Sequence, residues 1–162
     1  MSEDDQRIVV GVDGSEHSKQ ALRWATALGA QLGANVDAVM AWDFPTSVGW
    51  SAGTYVPDNW NPEADAQTSL ETTIDEVFGS ERPGHLSATV QEGHAAKVLL
   101  DQSKSATMLV VGGRGHGGLA GRLLGSASKE CAEHATCPVL VVHGDQPPPA
   151  PTHTHAVGMA TD

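Results

Sequence analysis

Arg7-Ile8-Val9-Val10-Gly11-Val12 is a short, β-branched and nearly unbroken apolar run. A strand with one wet face alternates apolar and polar residues, whereas a continuous run fits a strand buried on both faces, as in a parallel sheet. Ser15 follows, and Ala21, Leu22, Ala25, Leu28 and Leu32 then recur at helical spacing. The spacing predicts a helix over about 17–32 that ends at Gly33.

The same handover repeats along the chain. Residues 36–42 read as a strand, 66–78 as a helix with Leu70, Ile74, Val77 and Phe78 on one stripe, and 86–91 as a strand. A helix over 94–102, the strand Met108-Leu109-Val110-Val111, a helix over 126–134 and the strand Pro138-Val139-Leu140-Val141-Val142 complete the series. Alternation of this kind calls for a parallel sheet with helices on both faces, joined by right-handed crossovers, and so predicts a doubly wound α/β domain. Ligands of such sheets lie outside the carboxyl ends of the strands, where neighbouring connections leave for opposite faces. The loops after the strands are therefore the places for a site.

A chain of 162 residues suits one domain, expected over 1–143. Its net charge of −11, from 20 acidic against 9 basic residues, repels nucleic-acid phosphates and anionic membrane surfaces, so neither is an expected partner and any anion site must be local. The two cysteines are too few for a disulfide framework and suit a reducing interior. Met1-Ser2-Glu3-Asp4-Asp5 is acidic where a secretory leader is basic, and no apolar run approaches the ~20 residues that span a bilayer, so the cytoplasm is the expected location. Residues 144–162, with Pro147, Pro148, Pro149 and Pro151, offer no apolar face and read as a disordered tail. The long connection over 43–63 holds Trp50, Tyr55 and Trp60, and reads either as a lid over the site or as a surface excursion.

After the fourth strand comes Gly112-Gly113-Arg114-Gly115-His116-Gly117-Gly118, and Gly125-Ser126 stands at the head of the next helix. Glycines let backbone N–H groups approach an anion, and a helix start adds unpaired donors and a positive dipole end. This combination makes a phosphate cradle, in which Ser126 serves as helix cap or phosphate donor. Three nucleotide motifs are testable here. The P-loop pattern is absent, because no lysine follows a glycine near this loop. Gly113, Gly115 and Gly118 match GxGxxG, but that fingerprint belongs at the first strand-to-helix turn, with an acidic residue about 20 positions on. Here the next strand is the last, and His143 ends it. The third pattern, Gly-x2-Gly-x9-Gly followed by Ser or Thr, is met by Gly112, Gly115, Gly125 and Ser126.

With those four positions the sequence resembles the ATP-binding branch of the universal stress protein family, over about residues 7–143. Val10-Gly11-Val12-Asp13-Gly14-Ser15 is similar to the family's opening, and Cys137-Pro138-Val139-Leu140-Val141-Val142 to its ending. The resemblance implies a five-stranded parallel sheet in the order 3-2-1-4-5, the nucleotide-binding α-hydrolase-like fold, with the loops after strands one and four side by side. It implies nucleotide contacts at Gly11, at Asp13 on the ribose and adenine side, at the backbone near Ala41 on the adenine edge and at Gly112 by the ribose. Gly115, Gly125, Ser126 and Ala127 would hold the phosphates of ATP, with Mg carried on them. It also implies a homodimer through the last strand, Pro138 to Val142. The residues themselves agree for Asp13, since a carboxylate directly after a buried strand can accept from sugar hydroxyls; its other role is to cap the Gly14-Ser15 turn. Arg114 and His116 either add positive charge to the cradle or face outward.

Other chemistry is weaker. Cys131 and His134 fall on a predicted helix while Cys137 enters a strand, and no second ligand pair follows at zinc spacing. His153 and His155 lie in the tail, where such a pair binds metal adventitiously. Ser126 lacks a Gly-x-Ser-x-Gly elbow and an assignable base, so no catalytic residue is named. The expected function is a nucleotide-responsive regulator in a stress response, hydrolysing ATP slowly at most. A slow ATPase or phosphotransferase, and a cyclic-AMP binder of the same family, are the alternatives.

Overall fold

A computed structural model describes residues 6–43, 59–113 and 125–149. In chain order these form β1 (Arg7–Gly11), α1 (Glu16–Leu32), β2 (Asn35–Trp42), α2 (Pro62–Phe78), β3 (Leu86–Glu92), α3 (Ala95–Ser103), β4 (Met108–Gly112), α4 (Ser126–His134) and β5 (Val139–Val142). The strands pair in parallel in the order β3-β2-β1-β4-β5, as the family resemblance implies.

Successive side chains of each strand point to opposite faces, so one apolar strand feeds two cores. On one face Ile8, Val10, Val36, Ala38 and Val110 pack under Leu22 of α1 and Leu70 and Ile74 of α2. On the other Val9, Val39, Leu109 and Val111 pack under Val98 and Leu99 of α3 and Cys131 of α4. Each large aliphatic side chain removed from water in this way contributes about 1.5–3 kcal/mol. This double burial is why β1 and β4 read as continuous rather than alternating runs.

The helix ends follow local chemistry. The Ser15 hydroxyl accepts from the Ser18 N–H, and Gly33 closes α1 in the left-handed conformation with φ 69°. The second helix starts at Pro62 rather than at residue 66. Asn61 caps it by accepting from the Ala64 N–H, and Pro62, with φ already fixed, takes the first helical position. The connection after β2 is shortened accordingly, and Trp60 at its end donates to Asp65 Oδ2 at 3.1 Å. Trp50 and Tyr55 lie outside the described residues.

At the amino end of the sheet, Asp37 sits in the otherwise apolar β2 with 12% of its side chain exposed. Arg7 donates to its Oδ2 at 2.8 Å and Thr89 to its Oδ1 at 2.9 Å, while Arg7 also reaches Gln102 of α3. A buried charge is tolerated there because it is paired and hydrogen-bonded. After β5 the chain turns at Gly144, φ 71°, and the Trp24 indole N–H donates to the Gln146 carbonyl at 3.0 Å. Residues 144–149 carry neither helix nor strand, and His153 and His155 lie outside the described residues. Among the described residues no helix is long and apolar enough to cross a membrane.

Candidate functional site

Neighbouring strands β1 and β4 send their chains to opposite faces, β1 into α1 and β4 into α4. Their carboxyl ends therefore form the switch point, the crevice where ligands of such sheets bind. The strand registers place the candidate residues along it. Val39 pairs with Gly11 and Val110 with Val10, so carrying these registers forward sets Ala41 level with Asp13, and Gly112 level with Val12.

Asp13 is exposed at the rim, and its Oδ1 accepts the Ser15 N–H at 2.9 Å. The carboxylate thus caps the turn into α1, the second of the two roles open to it from sequence. Its backbone N–H donates to the Ser18 hydroxyl at 3.2 Å, which ties the crevice edge to the first turn of α1. Gly11 faces α3: a β-carbon there would come within 2.7 Å of Leu99 Cδ1, so close helix packing already accounts for a glycine at this position.

At the other side of the crevice, β4 ends in two glycines with different surroundings. A β-carbon on Gly112 would meet the backbone carbonyl of His17 at 2.7 Å, so α1 lies directly on this residue. Gly113 extends the sheet by one bond, its N–H donating to the Val142 carbonyl at 2.8 Å, and its own carbonyl accepts the Gly125 N–H at 2.9 Å. The buried Ser128 hydroxyl donates to the Gly112 carbonyl. Two hydrogen bonds therefore staple the first turn of α4 to the end of β4, however the chain travels between 113 and 125.

Among the described residues no side chain caps that helix start. Gly125 is the N-cap and offers no side chain, and the first turn of α4 contains no acidic residue. Ser126 is exposed and Ala127 half-buried, so the opening of α4 faces outward at the crevice. Uncapped N–H groups and the positive end of the helix dipole favour an anion at that place. Gly112, Gly125, Ser126 and Ala127 are brought together here, while Asp13 follows the neighbouring strand β1 and Ala41 stands across β1 on β2. Gly115, with Arg114 and His116, lies outside the described residues.

Two histidines flank the pair of glycines, and sequence reasoning singled out neither. The Nδ1 of His17 is buried without a hydrogen-bond partner among the described residues. His143, exposed after β5, sets its ring against Gly113. The cation nearest in sequence on α1, Lys19, is already engaged by Glu16 and Glu76, and its hydrogen bond to Glu76, then that to Glu16, raises its pKa. Cys131 lies beneath α4 in the core, where burial pushes its thiol up to about 11. An inert, protonated thiol suits packing rather than chemistry.

Comparison with known proteins agrees with this fold. The model of the universal stress protein family matches residues 6–143. A universal stress protein of Mycolicibacterium smegmatis is 37% identical over 142 residues, covering 85% of this chain and 48% of that protein. One from Mycobacterium tuberculosis is 29% identical over 158 residues, covering 96% of this chain and 54% of that protein. The chain spans about half the length of these curated relatives. Among solved structures, the universal stress protein UspA from Lactobacillus plantarum superimposes with a TM-score of 0.65 at 20% identity, over 86% of this chain and 98% of that one. A universal stress protein solved in complex with cAMP gives a TM-score of 0.61 at 27% identity, over 86% of this chain and 98% of that one.

Proposed function

The chain belongs to the universal stress protein family, and from that premise we propose that it binds ATP at the β1–β4 crevice and acts as a nucleotide-responsive regulator in a stress response. The observation that carries this reading is the uncapped start of α4, held against Gly113 by the Gly125 N–H at 2.9 Å. An anion is the ligand such a helix end favours, and a phosphate chain is the anion that the spaced glycines of this loop suit. In the proposed pose the adenine lies toward Ala41 and Gly11 and the ribose by Asp13 and Gly112. Gly115, Gly125, Ser126 and Ala127 hold the phosphates, with Mg carried on the phosphates.

Binding is favoured over catalysis. No base is identified for a nucleophile, and positioning groups alone do not make a fast phosphotransferase. Purified protein is expected to turn over ATP far below ~1 per second; sustained Mg-dependent turnover above that, abolished by a crevice substitution, would make the slow-ATPase alternative the better description. A cyclic-AMP reading is favoured by one observation, the 27% identical universal stress protein solved with cAMP. It keeps the adenine and ribose contacts and asks less of Gly125 and Ser126. Releasing the ligand from freshly purified protein, identifying it by mass spectrometry and competing ATP against cAMP separates the readings: ATP retained against excess cAMP supports the proposal, and cAMP displacing ATP at equal concentration overturns it. The proposed assembly is a cytoplasmic homodimer through the edge strand β5.

A further inference from the structure

Two observations converge on His143. The β4–β5 register pairs Gly112 with Val142, so His143 follows level with Gly113 at the carboxyl end of the edge strand. Its ring occupies the space over Gly113, where a β-carbon would stand 2.7 Å from Nδ1 and 3.1 Å from Cε1. Gly113 is the residue whose carbonyl anchors Gly125 at the head of α4. The imidazole is therefore one residue removed from the uncapped helix start, on the side away from β1 and β2.

We infer that His143 is the residue through which this site discriminates among adenine nucleotides by the length of their phosphate chain. This rests on the nucleotide reading above and adds a residue and a selectivity to it. From β2 to β5 in this order are three strand spacings, about 14 Å. A base near Ala41 and a sugar near Asp13 occupy the β2–β1 side, and the first phosphate falls by β4. The outer phosphates of a triphosphate extend toward β5, where His143 supplies an N–H donor that a monophosphate does not reach. Gly113 has the role of admitting the ring: any side chain there would take the space the imidazole fills. The exposure of His143 leaves its other edge open to a ligand.

The test is calorimetric titration of ATP and of AMP into the wild-type chain, His143→Ala and His143→Lys, with thermal melts on each. His143 is exposed, so both variants are expected to melt as the wild type does. The inference predicts that the wild type prefers ATP, that His143→Ala weakens ATP about fivefold while leaving AMP within about twofold, and that His143→Lys keeps the preference. Unchanged ATP affinity in His143→Ala overturns the inference and leaves the nucleotide site standing. Equal weakening of ATP and AMP also overturns it, because the ring would then only be positioning Gly113. A wild-type chain that binds ATP and AMP equally overturns it too, and one that binds neither removes the nucleotide reading together with the inference.

Discussion

The ring of His143 fills the space over Gly113, with Nδ1 only 2.7 Å from where a β-carbon would stand, whereas the same test at Gly112 meets the backbone of His17, also at 2.7 Å. Equal distances carry unequal costs, because an exposed imidazole can swing aside and a helix backbone cannot. Gly113→Ala is expected to change stability by less than about 1 kcal/mol, and Gly112→Ala to cost about 1–3 kcal/mol by forcing α1 off the sheet. Urea unfolding of both variants measures the difference; similar losses would show that the two contacts are equally rigid.

Asp37 should matter for stability and not for nucleotide. It lies at the amino end of the sheet, paired with Arg7 and accepting from Ser87 and Thr89. Asp37→Ala removes the acceptor these donors share and is expected to cost about 2–3 kcal/mol in urea unfolding. ATP affinity of the folded variant is expected to stay within about twofold of wild type. A tenfold loss of affinity would mean that the two ends of the sheet are coupled.

The cysteines should react in two classes. Cys131 is fully buried and its thiol is pushed up to about 11 from an ordinary 9.0, by burial first and then by the charges of Glu130 and Cys137. Because the folded pKa is the higher one, the stability it reflects is present below pH 9.0 and is lost as pH rises through about 11. Cys137, only partly buried, is expected to take a thiol reagent at pH 8 in the native state, and Cys131 only on unfolding. Fast modification of both in the native protein would contradict the packing of α4 on the sheet.

The β5 edge should be covered in solution. Among the described residues β5 pairs only with β4, and Val139, Leu140 and Val141 of its apolar run are only partly buried. A bare edge of this kind is usually paired. Light scattering is expected to give twice the chain mass through the micromolar range; a monomer mass independent of concentration would exclude the dimer.

The strands were legible because burial on both faces writes unbroken apolar runs such as residues 7–12, and the alternation of strands with helices fixed the class of fold. The order of the sheet came from the family resemblance. The start of α2 was misplaced by four residues because its opening turn carries little of the apolar stripe; Asn61-Pro62 was the available signal. The Arg7–Asp37 pair escaped notice because its partners lie 30 to 95 residues apart. His17 and His143 escaped for the same reason: only the β1-β4-β5 adjacency brings them to the two glycines. The glycine spacing marked Gly112, Gly125 and Ser126 without showing that Gly113 is the residue that anchors α4.

The central claim is that phosphate binds at the start of α4, and Ser126→Asp tests it with opposite effects on fold and ligand. Ser126 is exposed in the first turn of α4, where a carboxylate faces the positive end of the helix and adds about 0.3–1 kcal/mol to its stability. The same carboxylate repels phosphate: two unit charges ~4 Å apart at an effective dielectric of about 20 oppose each other by roughly 4 kcal/mol, and half of that is more than tenfold in affinity. The deciding measurement is calorimetric titration of ATP into wild type and Ser126→Asp, with a thermal melt of each. The account predicts that the wild type binds ATP, and that the variant melts at or above the wild-type temperature and binds at least tenfold more weakly. Wild-type ATP affinity in a folded Ser126→Asp chain would contradict it.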